Sequence, residues 1–545
     1  MAGAMQRGER SGRSEAAGAE ERGGLRTRVY DAVTGVVSGV IGLVSPFRAG
    51  RYRLGREMLR GYVSGATTGA DQQFRPRLRS ADADVKAGAK LTAARCRDQY
   101  QNNSLIAGGV ERMCTNVVRK GIYPQFLFRT PDGKLDRKAN TSWETMFRRW
   151  ALYCDVTGHD SYGSLQFLGL RHMWFDGEYL VHRVWDDSLP GVVPLRLELI
   201  ECQQLDRLVD GELPGGTVAR RGVEYDKRTG RPLFYHVLDN HPGDYLALGR
   251  RASARRIPAA DIIHVWDREM IHQYSGIAWL HAVVMEGYRM DEFRHITQDT
   301  ARAQAIFAYF LKSQFPNFQM GPGIPAGGQA SPYTPAATGG EVDSKLELNS
   351  SMVQKLPSGT EVQAISPSHP GDTYEPFVKD SQRWQSAGLG MSFEAFANNY
   401  TDSSYASARS GALEERLSYQ GQQQFVEEKM NRRVVGWFIE AAWLAGMNPA
   451  PMPGYAADPL AWHEKAAGQM PGWTWVDPMN DASAAEKLIG LVLDTRTDQA
   501  AQRGQVFDDV VERQMDEEEK LIKLAELRAR RKRLEESNVS AAIDE

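Results

Sequence analysis

The spacing of apolar positions changes character several times along this chain. From about residue 91 to residue 118, Leu105, Ile106, Val110, Met113 and Val117 recur three or four apart, which predicts a helix with one apolar side. A weaker helical candidate covers 142–153, where Trp143, Phe147 and Trp150 share one face and should pack inward. The period then shortens. EYLVHRVW (178–185), PLRLELIE (194–201), RPLFYHVLD (231–239) and DIIHVW (261–266) are short β-rich runs bounded by turn signals such as LPGG and TG. The middle third therefore reads as a strand-rich α+β unit.

Helix is predicted again over 276–311, a run that includes RAQAIFAYFLK, and it stops at a break in composition. PNFQMGPGIPAGGQASPYTPAATGG (316–340) has too many prolines and glycines for a helix or a central strand. Short strand-like pieces, KLEL and TEVQAIS, follow around the turn residues PSG at 357–359, and helical sequence resumes near Tyr374. An extended module of about 60 residues thus sits between two helices, well beyond ordinary loop lengths.

The stretch DSSYASARSGALEE (402–415) marks a helix start. Asp402 or Ser403 is the N-cap candidate, because a side-chain oxygen there can accept the free amides of the first turn. The helix can run as far as Ala445, roughly 65 Å at 1.5 Å per residue. Gly421 and Gly436 are the places where it is expected to bend. Leu413, Leu417, Val426, Met430, Val434 and Phe438 give it an apolar side, and so long a helix suits a stacked ring or bundle. From about Asp481 the chain is again helical and ends in DEEEKLIKLAELRARRKRLEE, acidic first and basic after, the order that suits the helix dipole. Glu519/Lys523 and Glu526/Arg530 add i, i+4 pairs. This tail reads as a solvated charged helix or, alternatively, as a DNA-binding segment. Residues 1–24 are small, polar and charged, with little to bury, and read as disordered.

A length of 545 residues implies two to four structural units. With 42% hydrophobic and 25% charged residues the chain is an ordinary folded protein, and a formal charge of −3 does not advertise nucleic-acid binding. Contact with DNA would need local charge, or a shape that avoids tight binding. Cys96, Cys114, Cys154 and Cys202 are far apart and form no CxxC pair, which argues against zinc or a disulfide framework and for a reducing compartment. No signal-peptide pattern opens the sequence. AVTGVVSGVIGLVSP (32–46) falls short of the roughly 20 residues a span needs, and reads as a membrane-surface or partner-docking segment.

The sequence carries no recognisable catalytic signature. GxxxxGK[ST] and GxSxG are absent, so neither an ATP-driven motor nor a serine hydrolase is supported. PDGK (131–134) is more simply a turn, and WHEKAA at Trp462 lacks the second histidine of a zinc helix. His264, His281 and His295 read as structural, and DGE (176–178) as a turn before a strand rather than acid–base machinery. No enzyme activity and no cofactor are expected.

The order of segments resembles the lambda-like family of tailed-bacteriophage portal proteins, from about Ser45 to Leu524. SPFRAGRYRLGREMLRGYVSGA is similar to the family's N-terminal arm, and RDQYQNNSLIAGGVERMCTNVVRKGIYPQ to its helix and glycine turn. FDGEYLVHRVW, PLRLELIECQQLD, GVEYDKRTGRPLFYHV and RRIPAADIIHVW follow in the expected order. LPSGTEVQAISPSHPGDTYEPFVKDSQRWQSAGLGMSFEAF and SSYASARSGALEERL complete the series. Phe393 stands where a tyrosine is common and Ala406 where a second serine is common, and HQYSGIAWL lacks an arginine often found before its glycine.

The resemblance implies an α+β subunit of a ring, usually of twelve copies, around a DNA tunnel at one capsid vertex. Carried onto this numbering, it implies a disordered start (1–28), an N-terminal arm and strand-rich wing (29–272) and a first stem helix region (273–311). An extended clip (312–372), a second stem helix (373–390) and a tunnel loop (391–404) would follow. A long helix with wing completion (405–480) and a helical crown and tail (481–545) would close the chain. Met391, Asn398, Asn399, Tyr400, Thr401, Asp402, Ser403 and Ser404 would face the tunnel. Lys379 and Arg383, one turn apart, would form a cationic band in the stem or pair across subunits. The implied partners are further copies of the chain, double-stranded DNA without sequence preference, terminase, scaffold and major capsid protein, and head–tail connector or neck proteins. The implied location is the virion, after assembly in the host cytoplasm. A neck or adaptor ring without a translocation role, or an assembly enzyme, are the alternatives.

Overall fold

The Ser80 hydroxyl accepts the Ala83 amide at 3.3 Å and starts helix α1 (Ala81–Asn102). Asn103, with φ −100° and ψ 106°, breaks the helical path, and its side-chain oxygen accepts the amides of Leu105 and Ile106 at 3.1 and 3.3 Å. That second cap starts α2 (Ser104–Val117), so the single helix expected over 91–118 is two helices joined at a polar corner. Strand β1 (Tyr123–Phe126) follows, then α3 (Arg137–Ala151), capped by Asp136, with Trp143, Phe147 and Trp150 buried as expected. Helix α4 (Tyr162–Phe175) was not foreseen. It is buried over most of its circumference, so the polar stripe that reveals a surface helix is missing.

The structure, a computed structural model, describes residues 78–130, 132–244, 253–305, 309–313, 360–364, 371, 373–401 and 403–543. The chain divides into two compact units, 1–79 and 80–545, and all elements named here belong to the second. The apolar run at 32–46, the start read from sequence as disordered, and the KLEL and 316–340 stretches lie outside the described residues.

Strands β2 (Glu178–Trp185) and β3 (Leu195–Glu201) lead to the short β4 (Gly211–Glu212), β5 (Thr217–Arg220) and β6 (Val223–Asp226). Strands β7 (Pro232–Leu238), β8 (Ala254–Pro258) and β9 (Ile262–Trp266) follow. The four runs read from sequence are β2, β3, β7 and β9. They divide between an antiparallel sheet of order β3-β2-β9 and a meander β4-β5-β6-β7-β8. Leu180 of β2 lies between Ile200 and His264, which fixes the register of the central strand.

Helix α5 (Val284–Ala305) ends earlier than the expected Leu311. Residues Tyr309–Ser313 form β10, paired antiparallel with β11 (Thr360–Ala364), Leu311 opposite Val362. The aromatic run at 309–310 suits a pleated surface, and the TEVQA piece supplies the edge that it needs. Helices α6 (Tyr374–Leu389), α7 (Phe393–Ala397) and α8 (Tyr405–Val426) follow, then a π-turn (Glu427–Asn431) that runs directly into α9 (Arg432–Leu444). The long helix is present to within one residue of the expected end, but its irregularity lies at the π-turn and not at Gly421 or Gly436. The reason is polar. Glu427 accepts the Gly468 amide at 3.0 Å, and Asn431 accepts the Tyr162 hydroxyl at 2.7 Å; both side chains are buried, and the widened turn aims both at their partners.

The single-turn α10 (Leu460–His463) precedes β12 (Ala466–Gln469), which pairs with β1, and α11 (Pro478–Gly490), α12 (Arg496–Gln502) and α13 (Phe507–Ile543) close the chain as the expected helical tail. One core gathers the aromatics of α3, α4 and α9. A second joins α2, α4, α6, α7 and α8, and a third lies between the two sheets. All four thiols are free and buried, and burial pushes Cys96 and Cys154 up to about 12. Among the described residues no helix is long and apolar enough to cross a membrane, and no group of three or more His, Cys, Asp or Glu is arranged to hold a metal ion.

Candidate functional site

The site is the passage from α6 through α7 to α8. Its approach is the helix pair α5 and α6, closed by Ser381, whose hydroxyl donates to Glu286 at 2.7 Å, and by Phe293, which stacks on Tyr374 at 5.8 Å and meets Phe377 edge-on at 5.4 Å. Helix α6 stops at Gly390, whose φ of 71° suits glycine. The amides of Gly390 and Met391 then close back on the carbonyls of Ala387 and Ser386 at 3.2 and 3.0 Å.

The chain turns at once into α7, because the Ser392 hydroxyl accepts the Ala395 amide at 3.2 Å. Asn398, φ 52°, ends that helix, and the Asn399 amide returns to the Glu394 carbonyl at 3.1 Å. The Asn399 side chain holds Thr401 by its amide at 3.1 Å and also by its hydroxyl. The Ser403 amide donates to the Tyr400 carbonyl at 3.2 Å, and its hydroxyl donates to the Glu394 carboxylate at 2.8 Å. Ser404 then caps α8, accepting the Ser407 amide at 3.2 Å from an extended backbone. From inside α8, Glu415 reaches back to accept the Ser392 amide at 2.6 Å, and Tyr419 steadies its other oxygen at 3.3 Å. The passage is therefore tied at both ends to elements of the second core.

This geometry corrects two readings of the sequence. The N-cap of α8 is Ser404; the Ser403 hydroxyl is committed to Glu394, and Asp402 lies outside the described residues. Met391, taken as facing outward, is 6% exposed and packs in the second core. Asn398, Tyr400, Thr401 and Ser404 are exposed, and Asn399 and Ser403 half-buried. Lys379 pairs with Glu375 of its own helix at 2.9 Å, and Arg383 lies over the Phe393 ring at 5.3 Å. Neither stands as a bare charge. Sequence reading missed Glu394, Glu415 and Ser392 as anchors. The glutamate pair 414–415, about three turns into a marked helix, was the available signal. The far side of α8 is clasped by Arg409, 2.5 Å from Asp481, and by Arg416, which donates to the Thr474 carbonyl at 2.9 Å.

Behind this passage lies a buried ionic cluster at the start of β2. Asp176 caps the end of α4 and binds Arg97 at 2.6 and 2.7 Å and His172 at 2.6 Å. Gly177 has φ 83°, and a Cβ there would meet the Ile277 backbone at 2.1 Å. Glu178 is 2% exposed and accepts from Ser275 at 2.5 Å and the Gly276 amide at 2.9 Å, with His264 at 3.1 Å and Arg221 at 3.9 Å. Burial pushes the Glu178 carboxyl up, but His264, the Arg221 charge and Ser275 outweigh it and bring it down to about 2. DGE is the turn that was expected, and His264 is a structural partner.

A family model described as phage portal protein, lambda family, matches residues 67–423. The chain belongs to the lambda family of phage portal proteins. It is 26% identical over 461 residues to a protein of Halomonas phage phiHAP-1 described as a probable portal protein, spanning 83% of this chain and 85% of that one. It is 22% identical over 492 residues to the portal protein of Escherichia phage N15, spanning 85% and 91% of the two chains. It is 21% identical over 481 residues to portal protein B of Escherichia phage lambda, spanning 84% and 89%. Among solved structures, a chain from the neck of a native gene transfer agent particle computed with C12 symmetry is similar at a TM-score of 0.42 and 12% identity, covering 78% of this chain and 98% of that one.

Proposed function

We propose that copies of this chain form a ring at one capsid vertex, a channel through which double-stranded DNA is packaged and ejected. The observation that carries this reading is the lambda-family match, which runs from before α1 into α8 and so includes α5, the 306–372 insert, α6 and the junction. The described surface supports it. Tyr288 and Ile296 on α5, Phe377 and Trp384 on α6, and Leu413 and Leu417 on α8 all stand exposed in the single chain. Apolar surface of this kind on neighbouring helices is what a ring of copies would cover.

In this reading α5 and α6 are the stem helices. The clip lies between them and begins with β10, so it starts a few residues earlier than the sequence alone implied. Residues 29–272 form arm and wing, the long helix completes the wing, and 481–545 form the crown. The polar stretch 398–404 faces the tunnel. Its groups are hydrogen-bonding and slightly acidic, and a conduit benefits from that, because each phosphate neutralised by a cation adds affinity that would hold DNA in place. The clip docks terminase during packaging and connector proteins afterwards, while scaffold and major capsid protein contact the ring in the virion after assembly in the host cytoplasm. The role is structural.

Two measurements test this. Mass photometry of the purified chain should give a particle about an order of magnitude above the 60.8 kDa of one chain; a stable monomer at micromolar concentration across salt conditions overturns the ring. Complementation of a portal-null phage should restore nuclease-protected DNA, and rings that restore heads without DNA would favour an adaptor without a conduit role.

A further inference from the structure

A cavity of about 410 Å³ opens where β7, β9 and the π-turn of the long helix meet, well away in sequence from the junction at 391–404. Lys429 and Arg433, four residues apart, border it from the helix, and Arg268 borders it from the segment after β9. Tyr235, Trp266 and Tyr274 supply aromatic wall. Among the described residues none of these three cations has a carboxylate partner. Arg268 lies over the Trp266 ring at 5.4 Å, and Arg433 donates only to the Ile262 carbonyl at 3.1 Å. Elsewhere in the same region arginines are closed by acids, as in Arg97 with Asp176, Arg183 with Asp261 and Arg256 with Glu224.

The acid closest in kind is spent, since Glu178 already receives Ser275, Gly276 and His264. Asp267 and Glu269, although next to Arg268 in sequence, do not line the cavity. Desolvation holds the Arg433 guanidinium below its usual pKa, with Tyr235 offsetting part of the effect. The π-turn matters here: wide turns of this kind recur at functional sites, and this one carries Lys429 at its centre.

We propose that this cavity binds a nucleoside phosphate, the phosphates held by Arg268, Lys429 and Arg433 and the base by the aromatic wall. Three cations exceed what one carboxylate can balance, whereas a diphosphate balances them with charge-assisted, often bidentate bonds. The volume lies within the range of roughly 300–1,000 Å³ usual for small-molecule sites and far exceeds what a bare phosphate fills. Tyrosine and tryptophan faces accept any base by stacking. The nucleotide has two possible sources, a free nucleotide or a nucleotide within a DNA strand.

Calorimetric titration of the assembled full chain with ADP, adenosine and a twelve-residue oligothymidylate tests the proposal. ADP should bind saturably, and adenosine should bind about tenfold more weakly or worse. R268Q and K429Q, at exposed positions, should each weaken ADP by about tenfold while leaving particle mass and thermal midpoint unchanged. Oligothymidylate that displaces ADP assigns the site to a DNA strand, and failure to displace it assigns the site to free nucleotide; either outcome supports the proposal. Absence of saturable ADP binding overturns it, as does equal affinity for ADP and adenosine. Loss of the ring in R268Q or K429Q with unaltered ADP affinity also overturns it, and would mean that the cavity seats an acidic side chain of a neighbouring copy.

Discussion

The aromatic core shared by α3, α4 and α9 and the paired helices α5 and α6 spend the same residue types to different ends. In the first, Trp143, Phe147, Trp150, Tyr162 and Phe438 are fully buried, with Phe438 4.8 Å from Phe147 and 5.2 Å from Trp150 between ring centres. In the second, Phe293, Tyr374 and Phe377 meet along one seam while Trp384 remains 70% exposed. One region is completed by its own chain. The other is completed, in the proposed ring, by the next copy. Burial of an aromatic is therefore a property of the chain in the first region and, in the proposed ring, of the assembly in the second.

The largest effects should separate these two regions. F438A removes a ring that three buried aromatics touch and should cost about 3–5 kcal/mol, seen as a large drop in the unfolding midpoint or loss of soluble protein. W384A should change the stability of one subunit by less than about 0.5 kcal/mol yet reduce ring mass in photometry. The comparison breaks if W384A unfolds the subunit, or if it leaves the ring intact.

A smaller effect comes from acid. The Glu178 carboxyl titrates near 2 in the fold against an ordinary 4.5, so it adds stability at neutral pH that is lost as pH falls from about 4.5 toward 2. The shift corresponds to about 3 kcal/mol. Denaturant midpoints followed from pH 6 down to pH 2.5 should fall in the native chain. In E178Q that part of the slope should be missing, with lower stability already at pH 6.

The smallest effects lie at the junction. S404A removes the α8 cap and should cost about 1 kcal/mol, with faster hydrogen exchange confined to the first turn of that helix. S403A loses one half-buried hydroxyl–carboxylate bond and should cost about 0.5 kcal/mol. If S403A exceeds S404A, the two serines have the opposite roles.

These ranks bear on what could be read from the chain alone. Short β-rich runs bounded by turn signals found β2, β3, β7 and β9 nearly to the residue, because each is dense in branched or aromatic residues. Helix α4 was missed because Tyr162, Leu165, Leu170, Met173 and Trp174 leave it almost no polar face. At α5 the apolar content of 305–311 reads equally well as helix or strand, and only pairing with Thr360–Ala364, some fifty residues on, decides between them. The junction was legible in outline, since small polar residues before a glutamate pair do mark a helix start. The choice of Ser404 over Ser403 rested on Glu394, which competes for the Ser403 hydroxyl from another helix. The cationic cavity at the π-turn was invisible because Arg268 lies about 160 residues before the helical pair Lys429 and Arg433.

The π-turn at Glu427–Asn431 makes the long helix a coupling between two packing phases. Tyr419 and Val426 belong to the core around α2 and α7, whereas Val434, Phe438 and Ile439 belong to the aromatic core, and the widened turn takes up the angular difference. Changes in this helix therefore count by rotation more than by length. Losing a single residue from the turn would shorten the rod by only about 1.5 Å, yet would swing every side chain of α9 by about 100°. Drift in the length of this segment is thus tolerated only in steps that restore the angle.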